Sequence, residues 1–502
     1  MSRQDIFKLL FSAVGLILTF PPFPAGFIAT GALVPFFFYL RGKGLKKAFK
    51  GGYVLGLLWA GGTIYWIGWA TLFGLLGVLL ILPFYCALFA VLQGWLWKRW
   101  GDNSFVSAPF LWTGIEIISS WGSLAFPWNL LAHTQTYYPS FIQYASITGA
   151  YGVSFWVVSL NVLFFFLLSG VWQWRRSLWL VSGIGFLFIL PWGYGKWVLS
   201  RPVKSKTEIR VDLIQGNIDP YKKWTQSFID SNFVVYHRLT KRVYNQNSDL
   251  IIWPETATPC YLRYRFSYLN RVKSQVDSMK IPLLTGSPDY ERRDRKTLKT
   301  YNGALLIRPR SWRIDRYYKI HLVPFSERVP LVEKVPFLYD LSKKLDLDIG
   351  NFSPGDSVVV FEFNPSSLKQ RVRFSVVICY ESVFPYLVRE FVQKGAQFLV
   401  VITNDGWFGK TSGPYQHAQI AVLRAIENRI WVVRCANTGV SEFIDPFGRI
   451  RVKTGLNEEA VLGHFISIRS EKSFFLRHGY LFPIFILVAN GLIFLIALLR
   501  RK

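Results

Sequence analysis

The chain has 502 residues, 51% of them hydrophobic and 18% charged, with a formal net charge of +28. That length leaves room for more than one domain, and four cysteines are too few for a disulfide-built scaffold. The excess positive charge is spread through the polar middle of the chain without a basic helix or an RNA-binding signature, which argues against a nucleic-acid reader. It fits attraction to anionic lipid headgroups, where each basic residue gains about 1 kcal/mol.

Composition changes along the chain. Residues 1 to 199 are mostly Leu, Phe, Ile, Val, Gly and Trp, residues 201 to 470 carry most of the charge, and an apolar run closes the chain. A membrane helix needs about 20 largely apolar residues. In chain order the candidate spans are residues 6 to 20, 24 to 40, 51 to 70, 72 to 97, 104 to 120, 150 to 170, 177 to 199 and 480 to 499, a bundle of eight. The first apolar run has no small-residue cleavage site and leads directly into Pro21, Pro22 and the second candidate, so it reads as a span rather than a signal peptide.

Basic residues alternate between the connections. Arg3 and Lys8 open the chain; Arg41, Lys43, Lys46, Lys47 and Lys50 fill the second connection, Lys98 and Arg99 the fourth, Arg175 and Arg176 the sixth, and Arg500, Arg501 and Lys502 the end. The intervening connections, including Trp121 to Gly149, contain no Lys or Arg. By the positive-inside rule both termini are expected in the cytoplasm and residues 201 to 470 outside it. The division is then a membrane domain of seven spans over 1 to 200, an outer domain over 201 to 470, and a last span with a tail over 471 to 502. Glu116 falls inside the fifth candidate; a carboxyl there either snorkels to the nearby outer surface or serves a substrate.

In the polar region short β-branched and aromatic runs alternate with helical patterns, which predicts a layered α/β domain. Strands are expected at Ile209 to Ile214, Leu250 to Trp253, Ile281 to Thr285, Ala304 to Ile307, Arg373 to Ile378, Phe398 to Thr403 and Trp431 to Arg434. Their continuous apolar character implies sheets covered on both faces. Helices are expected over residues 226 to 244, 261 to 279, 383 to 394 and 415 to 429.

Three polar residues stand where such strands end: Glu255 in Ile-Ile-Trp-Pro-Glu-Thr, Lys319 in Tyr-Tyr-Lys-Ile-His with Glu327 eight residues on, and Cys379 in Val-Val-Ile-Cys-Tyr-Glu. Each alone has a bland reading, a small core thiol or a solvated charge. Together they make chemical sense. An ammonium and a helix N-terminus favour a thiolate, a carboxylate can take the thiol proton and return it to a leaving group, and the ammonium can steady an oxyanion. His417 and His321 read as structural, and no His/Cys spacing resembles a zinc site, so neither metal nor cofactor is expected. Cys86 lies in an apolar run, leaving Cys260, Cys379 and Cys435 in the polar region; that odd number leaves at least one thiol free unless it pairs with another chain. Cys260 and Cys435 are read as buried and free in preference to bonded.

At these residues the chain resembles the nitrilase superfamily and, within it, the membrane-embedded apolipoprotein N-acyltransferase family. The likeness is carried by Ile214-Gln215-Gly216-Asn217 with Trp224, Trp253-Pro254-Glu255, Lys319 through Pro330, Cys379-Tyr380-Glu381, Thr403-Asn404-Asp405-Gly406-Trp407-Phe408 and Arg424 through Arg429, in that order behind the apolar segments. The resemblance implies an α-β-β-α sandwich on the outer side of the bacterial cytoplasmic membrane. It also implies a two-step reaction: Cys379 takes an acyl chain from a phospholipid as a thioester, and the α-amino group of a diacylglyceryl-cysteine lipoprotein then receives it. Glu255 would be the general base and Lys319 the oxyanion and positioning group. Glu327, Tyr380 and Glu381 would line the site, and Trp224, Trp407 and Phe408 would lie on loops that meet lipid. The uncharged Trp121 to Gly149 segment, with Phe126-Pro127-Trp128-Asn129, is expected at the lipid entrance. Two other readings stand beside this one: a membrane-tethered amidase with water as acceptor, and a transporter with an outer binding domain. The second is disfavoured by the near absence of charge and of interrupted-helix repeats in the spans.

Overall fold

The computed structural model describes residues 1–122, 124–170, 174–203, 207–244, 246–292, 298–329, 350–468 and 471–499, with backbone alone at 174–177 and 226. Pro330 and the terminal Arg500, Arg501 and Lys502 lie outside the described residues. The chain forms two compact units, Met1–Arg201 with Ser473–Lys502, and Pro202–Lys472.

The first unit begins with α1 (Arg3–Leu18), α2 (Ala29–Ala32), α3 (Val34–Leu40), α4 (Leu45–Ile64), α5 (Ile67–Ala70), α6 (Leu72–Trp100), α7 (Ala108–Ser119), α8 (Ala145–Thr148), α9 (Ala150–Ser169) and α10 (Trp174–Leu199). Among the described residues four helical stretches are long and apolar enough to cross a bilayer: Leu72–Ser119, Ala150–Ser169, Leu178–Leu199 and Leu481–Leu499. Three of the expected spans are not simple helices, and the one at 51 to 70 divides into α4 and α5. The one at 24 to 40 is broken at Leu33, whose N–H donates to the Asn161 side chain at 2.8 Å, while the Asn161 amide donates to Ala29 O at 2.7 Å. A side chain from α9 thus satisfies the backbone groups that the break frees, as an apolar setting demands. The one at 104 to 120 holds α7, whose 12 residues rise only about 18 Å, preceded by the 3-10 turn Gly101–Ser107. Small residues let α4 and α6 close on each other: a Cβ at Gly56 would stand 2.6 Å from Pro83 Cα.

The second unit has two six-stranded sheets. The first runs in the order β12-β1-β2-β3-β4-β5, with β1 (Glu208–Gln215), β2 (Leu250–Ile252), β3 (Leu283–Arg292), β4 (Leu298–Ile307), β5 (Ile314–Tyr318) and β12 (Ala460–Ser467). The second runs β11-β10-β9-β8-β7-β6, with β6 (Phe361–Phe363), β7 (Val372–Ile378), β8 (Phe398–Thr403), β9 (Trp431–Ala436), β10 (Glu442–Ile444) and β11 (Ile450–Lys453). The central strands β1, β2 and β3, and likewise β7, β8 and β9, pair in parallel, with antiparallel strands at the margins. The sheets face each other: Cys435 on β9 places its sulfur 3.4 Å from Ile252 O on β2.

Helices α11 (Gln226–Lys241) and α12 (Phe266–Met279) cover the first sheet, burying Phe233, Tyr236, Leu269 and Val272 against Ile251, Leu283 and Leu305. Helices α13 (Pro385–Gln393) and α14 (Gly413–Asn428) pack against β7 and β9 of the second. The result is the α-β-β-α layering that the family resemblance implies. Both inner and outer faces of the parallel strands are covered, so β8 is buried at every residue. The chain then returns to the first unit through α15 (Phe474–His478) and α16 (Leu481–Leu499). On α16 only Pro483, Ile486 and Ala497 are buried, leaving an apolar outer face suited to lipid.

Candidate active site

Glu255, Lys319 and Cys379 each follow the last residues of a strand, and the sandwich brings them together. Strand β2 is prolonged by Trp253, whose N–H donates to Leu284 O at 2.8 Å. Its buried indole donates to Thr240 Oγ1 at 2.9 Å and stacks on Tyr236 with centroids 5.0 Å apart. Pro254 then ends the strand. The Glu255 backbone lies directly on β3 because position 286 is glycine, where a Cβ would stand 2.6 Å from Glu255 Cα. The Glu255 carboxylate is 6% exposed; Oε1 accepts from Asn302 Nδ2 at 2.8 Å and Oε2 from Asn404 N at 2.9 Å.

Lys319 leaves β5 and is anchored at both ends of its peptide: its N–H donates to Asn302 O at 2.9 Å, and its carbonyl accepts from Gly355 N at 2.8 Å. Its Nζ lies 2.8 Å from Glu327 Oε2 and 3.9 Å from Glu255 Oε1. Glu327 is fixed by Val323 N at 2.8 Å and by Asn302 Nδ2 at 2.9 Å. One asparagine, Asn302, therefore ties both carboxylates to the lysine.

Cys379 ends β7 with φ at +53°, a left-handed backbone that costs a residue with a Cβ about 1–2 kcal/mol. Surrounding bonds hold it there. Ile378 N donates to Glu381 Oε2 at 2.7 Å, Ser382 Oγ donates to Cys379 O at 2.9 Å, and His417 Nε2 lies 3.1 Å from the same carbonyl. The effect is to turn the thiol out of the strand toward the lysine and the carboxylate, in the way strained backbone is retained at reactive positions.

The three groups act on one another in every pair. Burial pushes the Glu255 carboxyl up, Lys319 pulls it back, and Glu327 adds to the rise. Burial works against the Lys319 ammonium, but Glu327, Cys379 and Glu255 outweigh it and raise its pKa. Burial also raises the Cys379 thiol; Glu255 adds to that and Lys319 opposes it. The resting thiol is thus protonated beside a carboxylate that accepts a proton more readily than an ordinary glutamate, with an ammonium that never leaves its charged form. This arrangement suits proton transfer from sulfur to Glu255 as the sulfur attacks a carbonyl, with Lys319 beside the developing negative charge. Replacing Lys319 by Met is expected to slow acylation of the thiol about 100 to 1,000-fold. Leaving Glu255 and Glu327 without their cation should also lower stability by about 3 kcal/mol; single-turnover rates and denaturant midpoints measure the two effects.

The residues expected to line the site divide. Glu381 is fully buried and spends both oxygens on protein: Oε1 accepts from Tyr317 Oη at 2.6 Å, Ile320 N at 2.7 Å and His321 N at 3.2 Å, while Oε2 accepts from Ile378 N. These bonds brace the Lys319 loop against the Cys379 loop. Tyr380 is buried, edge-on to Phe384 at 5.1 Å. Trp224 is 42% exposed; Trp407 is half-buried and meets Tyr221 edge to face at 5.1 Å. Phe408 is half-buried, 6.4 Å from the His417 ring.

Sequence reasoning missed a second layer. His417 Nδ1 lies 2.8 Å from Asp405 Oδ1, and Arg434 Nη2 lies 2.5 Å from Asp405 Oδ2, all three fully buried. Thr403 Oγ1 also donates to Asp405 at 2.8 Å. His417 thus links this cluster to the Cys379 carbonyl, 3.1 Å from its Nε2. Arg434 and His417 bring the Asp405 carboxyl down to about 2 against the opposing effect of burial. Asp405→Asn leaves the Arg434 guanidinium buried without its counter-charge and is expected to cost about 3–5 kcal/mol in urea unfolding. A carboxyl at about 2 lies below its unfolded value of about 3.9, so this part of the stability is complete above about pH 4 and is lost as pH falls toward 2. Lys223 was also missed. It is 2% exposed, donates to Thr256 O at 3.3 Å and to Thr256 Oγ1, and burial brings its pKa down to about 7 with Glu255 opposing. The Lys-Trp pair at 223 and 224 was a readable signal; Asn302 in Tyr-Asn-Gly was not. Cys260 and Cys435 carry free thiols, the first half-buried and the second buried.

The two-sheet sandwich is the fold of a nitrilase-type domain, and residues 210–470 match the family described as Carbon-nitrogen hydrolase. Residues 12–163 match the Apolipoprotein N-acyltransferase N-terminal domain. The chain is similar to the apolipoprotein N-acyltransferase of Geobacter metallireducens, 36% identical with 100% of this chain and 96% of that protein covered. It is also similar to that of Chlorobaculum tepidum, 33% identical with 99% and 97% covered. Among solved structures, a Saccharomyces cerevisiae member of branch 10 of the nitrilase superfamily is 20% identical with TM-score 0.39, covering 53% of this chain and 92% of that one. The chain belongs to the apolipoprotein N-acyltransferase family.

Proposed function

We propose that the protein transfers an acyl chain from a phospholipid, through a thioester on Cys379, to the N-terminal amine of diacylglyceryl-cysteine lipoproteins. The observation that carries this reading is the convergence of Lys319 on Glu255 and Glu327 at 3.9 and 2.8 Å beside a thiol held at φ +53°, in a chain whose other unit is built from helices apolar enough for a bilayer. In the first half-reaction Glu255 accepts the Cys379 proton, the sulfur attacks the ester carbonyl, and the proton passes to the departing lysophospholipid oxygen. In the second, the acceptor amine attacks the thioester, Glu255 takes an amine proton, and the thiol is restored.

On this reading eight segments cross the bacterial cytoplasmic membrane, with both termini inside and the sandwich outside, seven helices before it and one after. The alternating basic connections support that orientation. Trp224, Trp407 and Phe408 meet lipid, Tyr380 lines the acyl site, and the Trp121 to Gly149 segment forms the lipid entrance. Incubation of the protein with phospholipid and a diacylated lipopeptide bearing a free amine should add one acyl chain to the lipopeptide amine. Release of free fatty acid with the lipopeptide unmodified would instead identify water as the acceptor, as in an amidase.

A further inference from the structure

The first unit contains a half-open cavity of about 50 Å³, bordered by Phe126 and Asn129 of the segment proposed above as the lipid entrance, and lined by Trp59, Tyr85, Phe89, Trp112 and Glu116 among other residues of α4, α6, α7 and the loop after it. Glu116 is 7% exposed. Its Oε1 accepts from Trp112 Nε1 at 3.1 Å and from Leu131 N at 2.9 Å, which holds the Phe126-Pro127-Trp128-Asn129 loop. The Ser154 hydroxyl lies beside the same carboxyl, but Oε2 has no hydrogen-bond partner, nor do Oδ1 and Nδ2 of Asn129 on the cavity wall. No Lys, Arg or His lines the cavity among the described residues.

A carboxylate oxygen left without a partner in such surroundings is costly, by several kcal/mol when ionised. The ring faces around it favour the same kind of guest. Trp112 lies 6.0 Å from Trp59 and 5.0 Å from Phe89 between centroids, and desolvated aromatic faces attract a cation by up to about 2 kcal/mol. We propose that this cavity binds the ammonium group of a two-chain lipid, the head lodging between Glu116 and the rings while the chains stay in the bilayer. A primary ammonium fits better than a quaternary one, since its N–H groups reach Glu116 Oε2 and Asn129 Oδ1, while Asn129 Nδ2 is free to donate to a phosphate or carbonyl oxygen of the same lipid. Two sources share this chemistry: a phospholipid with an aminoethyl headgroup, and a lipidated peptide with a free N-terminal amine.

The test uses the full chain in nanodiscs holding equal amounts of aminoethyl and glyceryl phospholipids with identical chains, with retained lipid counted by native mass spectrometry. A second arm offers a diacylated lipopeptide with a free amine beside its N-acetylated twin. Wild type should retain the amine-bearing lipid about 10-fold over its neutral-headed counterpart in at least one arm. The arm that shows the preference identifies the source. Glu116→Gln keeps the oxygen that accepts from Trp112 and Leu131 but removes the charge, and it should erase the preference. Trp59→Leu, away from those bonds, should weaken it and carries the test if the first variant does not fold. Lipid held at Cys379 contributes equally to wild type and variants, and retention is scored without turnover, so failure of the acyl-transfer reading would leave this result intact. No preference in wild type, or a preference unchanged in both variants, overturns the proposal.

Discussion

Cys379→Ala is expected to abolish acyl transfer, reducing turnover by about 10⁴-fold or more, because no other described thiol can take over the covalent step. Cys435 is sealed between the sheets with its sulfur 3.4 Å from Ile252 O, and burial raises the half-buried Cys260 thiol to about 11 with Arg265 opposing. Neither sits beside a lysine and a glutamate. Stability should fall little, since alanine also tolerates the end of β7, and relief from left-handed strain is not expected because its Cβ remains. Parallel measurement of turnover and thermal midpoint separates lost chemistry from lost fold.

Glu255→Gln is expected to slow both half-reactions by about 100 to 10,000-fold while the thiol remains present and folded. Glutamine keeps an oxygen for Asn302 or Asn404 but cannot accept the Cys379 proton. The pH dependence gives a second readout. Burial raises the Glu255 carboxyl above its ordinary range, so in wild type the base is lost to protonation at a higher pH than an exposed glutamate would show. The acid limb of the acylation rate should lie above about pH 4.3, the ordinary glutamate value. In Glu255→Gln that limb should disappear from the residual rate. A limb unchanged by the substitution would assign the base elsewhere.

These effects rest on parts of the structure that the sequence discloses unequally. The buried centre of the sandwich is readable because β2, β8 and most of β7 and β9 are apolar runs, as strands covered on both faces require, whereas β1 interleaves Arg210 and Asp212 with its apolar residues. The marginal strands are not readable. In β5, Ile314-Asp315-Arg316 carries charge toward solvent; β6 is three residues long; β11 alternates half-buried and exposed positions. Their place is set by pairing with neighbours rather than by their own composition.

The same division holds at the site. Glu255, Lys319 and Cys379 stand out as polar residues ending apolar strands, whereas Asn302, which binds both carboxylates, sits inside β4 with nothing local to mark it. Glu381 stands out beside Cys379 in Cys-Tyr-Glu, but its bonds with Tyr317, Ile320, His321 and Ile378 are not legible in the sequence. In the first unit, length and hydropathy locate the long apolar helices α6, α9, α10 and α16, but the break at Leu33 depends on Asn161, 128 residues away in sequence.

The most direct test of the thioester account is mass spectrometry of the intact protein after incubation with phospholipid and no acceptor. Wild type should carry one acyl chain on a peptide containing Cys379, removed by neutral hydroxylamine and discharged when a free-amine diacyl lipopeptide is added, with no adduct in Cys379→Ala. Active protein that never carries the adduct, or an adduct on any other residue, would contradict it.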